Sequence, residues 1–235
     1  MAKLYIVATP IGNLEDITLR ALRILKEVDL ILCEDTRQTR KLLDRYGINA
    51  PTQSYHQHSK LQKIEQIIEL LKNGKNLALV SDAGTPAISD PGGKLVEEVV
   101  KALGDGAAVI PIPGPSAVTA AASISGLPTD KFLFMGFPPH KKGRNKFFQK
   151  IAAADETVVF YESPYRILKS LNELRGAAGE RPIVVCRELT KMFETIYRGS
   201  VSEVISKLQS GTIKGEFVVV VGKEIKNFQF PIANF

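Results

Sequence analysis

Two stretches of this chain gather residue types that do chemistry. Glu34-Asp35-Thr36-Arg37 follows directly on the apolar run Leu30 to Cys33, so two carboxylates and a guanidinium stand where a buried strand should end. Groups of these kinds exchange protons or pair with ions. Ala78 to Gly93, read as ALVSDAGTPAISDPGG, is a second apolar run, driven into a turn holding three glycines, two prolines and two aspartates. A plain strand-to-helix connection needs only a few residues. Glycine admits positive φ and close backbone approach, and proline freezes φ, so this turn specifies a backbone shape, either as a rigid connector or as a binding turn. GxSxG, Walker A, HExxH and CxxC motifs are all missing from the sequence, which removes the common nucleophile, phosphate-loop and metal readings. His56 and His58 are two residues apart and His140 sits in a basic loop, so no metal site is expected. Thr9-Pro-Ile-Gly-Asn-Leu stands where a dinucleotide fingerprint would follow the first strand, and it lacks the required glycines.

The elements that must position these stretches are legible from periodicity. Lys3 to Ala8, Leu30 to Cys33, Leu77 to Val80 and Ala108 to Ile110 read as strands. Helices are predicted after Thr18, a good N-cap, over about Thr39 to Tyr46, over Lys60 to Lys72, and over about Lys94 to Leu103. Gln53 to His58 is polar and of uncertain type. This alternation predicts an α/β fold with a parallel sheet of βαβ units. Ligands of such sheets bind outside the carboxyl ends of the strands. The loops at Thr9, Glu34 and Ser81 would all lie on that side.

Pro111-Ile-Pro-Gly-Pro-Ser116 interrupts the pattern, and the domain boundary is placed there, giving residues 1–113 and 114–235. The second half continues with strands at Phe132 to Gly136, Thr157 to Tyr161, Ile183 to Cys186, Thr195 to Gly199 and Glu216 to Val221. Its predicted helices follow Ser116, span Phe147 to Ala154, run from about Arg166 to Leu174, and cover Ser202 to Leu208. The 235 residues carry 44% hydrophobic and 24% charged side chains, an ordinary balance for a globular chain. Apolar runs are too short to span a membrane, and the N-terminus enters a strand at once, so a cytoplasmic protein without membrane attachment is expected. Cys33 and Cys186 close apolar runs and are expected to be buried free thiols. Charge is uneven: the first 113 residues balance at zero, whereas the remainder holds 17 Lys and Arg against 11 Asp and Glu, the whole net +6. Lys141, Lys142, Arg144, Lys146 and Lys150 concentrate that excess and fit an anionic partner such as RNA.

Taken together, ATPIGNLEDITLRA (8–21), CEDTR (33–37), SDAGTPAISDPG (81–92), IPGPSA (112–117), FLFMGFPP (132–139), FYESPYR (160–166) and CRELTKMFE (186–194) resemble the tetrapyrrole methylase superfamily. Within it they are similar to the ribosomal small subunit RNA methyltransferase I family, over nearly the whole chain and in the same order. The resemblance implies two α/β domains of the tetrapyrrole methylase type with a cofactor cleft between them, S-adenosyl-L-methionine as cofactor, and a homodimer. It implies 2′-O-methylation of a cytidine ribose, cytidine 1402, in 16S ribosomal RNA of the small ribosomal subunit. The nearest alternative keeps the chemistry and takes a tetrapyrrole precursor as acceptor.

Carried over by position, the resemblance assigns the cofactor to Pro10 and Ile11 in the first turn, to Ala83, Gly84, Thr85 and Ile88, to Ser116 and Ala117, and to Leu189. It points to Glu34 as the group that takes the proton from the acceptor hydroxyl. Asp35 and Glu188 are rivals for that role, and a Glu34–Arg37 ion pair is the structural alternative. Lys141, Lys142, Arg144 and Lys146 are the expected RNA contacts, with Arg37, Arg40, Arg166, Arg187 and Lys191 as further candidates.

Overall fold

The computed structural model describes residues 2–56 and 61–223. The chain divides into two compact units, Met1–Ser116 and Ala117–Phe235. In the first, β1 (Ala2–Val7), α1 (Leu19–Glu27), β2 (Leu30–Cys33), α2 (Thr36–Arg45), β3 (Thr52–Ser54), α3 (Leu61–Lys72), β4 (Leu77–Leu79), α4 (Gly93–Leu103) and β5 (Ala107–Ile112) follow in strict alternation. The five strands form one sheet in the order β3-β2-β4-β1-β5, and every pairing is parallel. Both sheet faces are covered. Leu25, Leu43 and Ile31 belong to a core under α1 and α2, and Ile67, Leu71, Val99 and Leu4 to a core under α3 and α4. A parallel sheet so enclosed needs strands apolar on both faces, and β4 is buried along its length.

The chain returns from β3 to β4, between β2 and β1, and then passes beyond β1 to β5. Loops that leave the carboxyl ends of β1, β2 and β4 are thereby neighbours, as the expected edge requires. Of two boundaries read from capping residues, one matches expectation and one differs for a local reason. Thr18 caps α1 as read, its side chain accepting the Ala21 N–H at 3.1 Å. α2, however, starts at Thr36 rather than Thr39, because Asp35 is its N-cap and accepts the Arg37 N–H at 2.8 Å.

The second unit comprises α5 (Ala117–Ile124), β6 (Phe132–Phe134), α6 (Arg144–Ala152), β7 (Thr157–Glu162), α7 (Ile167–Ala178), β8 (Pro182–Arg187), β9 (Thr195–Ser200), α8 (Val201–Gln209) and β10 (Phe217–Val221). Its sheet is mixed, in the order β6-β7-β10-β8-β9, with β6 and β7 parallel and the other pairs antiparallel. The link from β8 to β9, residues 188–194, is too short for the helical crossover a parallel neighbour needs. The strand therefore turns back. Phe148, Phe160, Leu171, Val204 and Val219 lie in the core beneath α6, α7 and α8, while α5 packs against β7 and β10. Cys33 and Cys186 are buried free thiols, and burial pushes the Cys186 thiol up to about 11. Among the described residues no helix is long and apolar enough to cross a membrane.

Candidate active site

At the carboxyl edge of the first sheet the turns are joined by main chain. Thr9, two residues beyond β1, and Gly84, in the turn after β4, exchange N–H to O bonds of 2.9 and 3.0 Å. The buried Thr9 hydroxyl lies 3.1 Å from the Ser81 carbonyl oxygen, and the Ser81 hydroxyl 3.2 Å from the carbonyls of Ala83 and Gly84. Thr85 Oγ1 donates to the Pro115 carbonyl at 3.3 Å, and the Ala8 N–H donates to that of Ile112 at 3.2 Å. Three segments thus make one seat, with Pro10, Ile11, Ala83, Gly84, Thr85 and the approach to Ser116 in it. Gly84 has φ +80°, and a Cβ there would stand 3.4 Å from Ile11 Cγ2. Only glycine takes that backbone without strain. Farther along the turn Ala87 and Ser89 carry φ of 69° and 62°, non-glycine strain of the kind that marks functional loops. Ile88, between them, is exposed. Ala117 opens α5 and Leu189 follows β8, both in the second unit.

Glu34 is the single residue between β2 and the cap of α2. Burial pushes its carboxyl above the ordinary range, the charges of Asp82 and Asp35 add to this, and the His56 imidazole pulls the other way. Such a carboxylate is a stronger proton acceptor than a solvated one. Asp35 is its opposite. A two-pronged contact with Arg37, at 3.0 and 2.7 Å, together with the cap, holds Asp35 down to about 2. The Glu34–Arg37 pair considered from sequence is therefore replaced by Asp35–Arg37, because the cap orients Asp35 toward its own helix. Asp82, which sequence reasoning left without a role, accepts the Asp35 N–H at 3.0 Å and ties the β2 and β4 turns together. Its place in the SDAGTP turn was the available signal. His56 lies just past β3, the strand paired in parallel with β2, so Gln53 to His56 is the exit of an edge strand. His58 lies outside the described residues.

Glu188, the other rival base, is engaged in shaping its loop. Burial raises its carboxyl, but hydrogen bonds from Lys191 and the Glu216 N–H, each 2.9 Å, more than offset this and leave it below the ordinary range. Lys191 also bonds Glu216 at 2.9 Å, and Arg187 donates to the Lys214 carbonyl at 2.7 Å. Glu188 and Thr190 have φ of 53° and 65°, with Leu189 buried between them.

The basic cluster divides. Lys141, Lys142, Lys146 and Lys150 are exposed. Arg144 is not, which corrects its expected RNA contact: it is 6% exposed and bonds Glu173 and Ser170 Oγ at 2.6 Å each and the Pro139 carbonyl at 3.1 Å. Its guanidinium also lies 5.3 Å from the Phe148 ring centre. The cause is helical phase, since residue 144 shares a face with Phe147, Phe148 and Ile151, all buried. Arg166 is likewise spoken for, pairing with the buried Glu162 at 2.8 Å and reaching the Pro138 carbonyl at 3.0 Å.

A family model described as tetrapyrrole (corrin/porphyrin) methylases matches residues 3–205. The chain is 48% identical to a curated ribosomal RNA small subunit methyltransferase I of Thermotoga maritima, over 95% of this chain and all of that protein. The protein of the same name from Bacillus subtilis is 47% identical over 94% of this chain and 75% of its own. Among solved structures, uroporphyrin-III C-methyltransferase from Thermus thermophilus has the same fold, with a TM-score of 0.64 at 20% identity over 95% of both chains. With parallel-sheet turns joined as described and half the sequence shared along almost the entire chain, this protein is a methyltransferase and belongs to the ribosomal RNA small subunit methyltransferase I family of tetrapyrrole methylases.

Proposed function

We propose that the protein methylates the 2′-hydroxyl of a cytidine ribose in 16S ribosomal RNA, within the small ribosomal subunit, using S-adenosyl-L-methionine. The observation that carries this reading is the 48% identity over 95% of the chain to a relative named for small-subunit ribosomal RNA. The first-unit seat fits a cofactor without phosphates. Gly84, with φ +80° and no Cβ, lets the main chain come close, Ala83 is small, and Pro10 and Ile11 supply apolar wall. Together with Thr85, Ile88 and Ser116 these residues would hold the cofactor, and the resemblance adds Ala117 and Leu189. S-adenosyl-L-methionine, when bound, supplies a methyl group on a positively charged sulfur, the carbon–sulfur pair staying on sulfur as the oxygen–carbon bond forms.

The chain's own task is to orient the hydroxyl and receive its proton. Orientation gives the larger share of acceleration. Glu34 takes the proton on a carboxylate oxygen and releases it to water after each turnover. Asp35 and Arg37 fix the start of α2 and so position Glu34. Lys141, Lys142 and Lys146 contact RNA phosphates. A homodimer and a cytoplasmic location follow from the same family reading. A tetrapyrrole precursor as acceptor draws support from the fold and from the broad family model, not from the relatives named for ribosomal RNA.

The test is transfer of radiolabelled methyl to small subunits from cells lacking this protein, followed by nuclease mapping. Label on one cytidine ribose is the expected result. Label on a base, or none on RNA with cofactor binding intact, overturns the reading.

A further inference from the structure

Arg144 and Arg166 act as struts in the second unit, and what they hold up is an exposed aromatic surface. Arg144 bonds the Pro139 carbonyl at 3.1 Å and Arg166 that of Pro138 at 3.0 Å. Both also pair with the buried Glu162, Arg144 at 3.9 Å and Arg166 at 2.8 Å. The loop that starts at Phe137 is thereby fastened to the turn after β7, where the N–H groups of Arg166 and Ile167 both donate to the Ser163 carbonyl at 3.1 Å. Tyr165 stands at the outside of that turn, 96% exposed, and Phe137 is 51% exposed. Phe137 is backed by Tyr161, with ring centres 5.3 Å apart, and Tyr161 by Phe134 at 5.1 Å. Lys141, Lys142, Lys146 and Lys169 are exposed on the same loop and helices. Glu162 and Glu173 are engaged by the two arginines.

Large aromatic side chains in water beside lysines that have no acidic partner among the described residues match what single-stranded nucleic acid recognises: a π-face for each base and cations for the phosphates. We propose that Tyr165 and Phe137 form a stacking platform for unpaired bases of the RNA substrate, flanked by Lys141 and Lys142. This rests on the RNA reading above and adds to it the requirement that the bound segment be single-stranded.

The chain contains no tryptophan, so Tyr165→Trp introduces a lone indole as reporter. Titrated with a short single-stranded RNA oligonucleotide containing cytidine, its emission is expected to be quenched, whereas a duplex of the same length leaves it unchanged. Tyr165→Ala is expected to weaken binding of the single strand about fivefold or more, with the salt slope retained and with Tyr165→Phe restoring affinity. Lys141→Gln with Lys142→Gln instead flattens the salt slope. Unchanged emission on a bound single strand, equal quenching by duplex, or no binding of the oligonucleotide overturns the platform. Methyl transfer to small subunits by the unsubstituted protein, measured alongside, separates the two ideas: label on RNA without quenching removes only the platform, and no label with cofactor binding intact removes the RNA reading itself.

Discussion

Glu34 and Glu162 each stand at the carboxyl end of a strand, each followed within four residues by an arginine, and the two sites have opposite characters. Glu162 has no exposed side-chain surface. It accepts from the Ser163 N–H at 2.8 Å, from the Ser170 hydroxyl and from Arg166. Its charge is spent on holding loops. Glu34 is half-buried, and the next arginine along the chain, Arg37, is claimed by Asp35. What raises its carboxyl is burial and neighbouring negative charge. A strand-end carboxylate is thus a strut when its oxygens are satisfied, and is suited to the proton-accepting role proposed for Glu34 when it is buried and crowded by like charge.

That contrast can be broken in graded ways. Glu34→Gln should lower turnover by about two to four orders of magnitude, the usual range for losing a general base, with cofactor affinity and the urea midpoint nearly unchanged. Equal losses in turnover and affinity would make Glu34 a strut as well. On the proposed role the same group is expected to set the pH profile: turnover should fall as pH drops through a value above the ordinary glutamate range, and His56→Gln, by removing the opposing pull, should move that acid limb higher. Glu162→Ala should do the reverse, costing about 3–5 kcal/mol of stability, as removal of one partner from a buried ion pair does, measured by urea unfolding. Gly84→Ala should cost about 1–2 kcal/mol for a left-handed backbone and weaken cofactor binding by calorimetry more than it slows turnover at saturation. Arg37→Gln, in a pair whose arginine is 87% exposed, should leave the unfolding midpoint where it was; a clear drop would put it with the struts.

Much of the first unit was legible because its strands are apolar on both faces and its turns carry their own chemistry. The ends of β2, the Thr18 cap and the carboxyl-edge placement of three loops could all be read from residue type. β3 could not, being three polar residues at the sheet's edge whose pairing depends on β2. Which of Glu34 and Asp35 bound Arg37 turned on cap geometry, which spacing alone does not express. Arg144 was readable and was misgrouped: counted with its lysine neighbours it looks like surface, counted by helical phase with Phe147, Phe148 and Ile151 it belongs inside. The direction of the second sheet depended on a short link, residues 188–194, that an alternation of strands and helices conceals.

The paired hydrogen bonds between Thr9 and Gly84 join positions 75 residues apart. Insertion of one residue in either turn would pull its partner out of register, so the two segments form a single heritable module. Swapping in a first turn of a different length from a related methylase should give an inactive chimera, and swapping both turns together from that methylase should restore function. Main-chain pairing of this kind constrains the joint length of residues 8–18 and 81–92 more than their side chains.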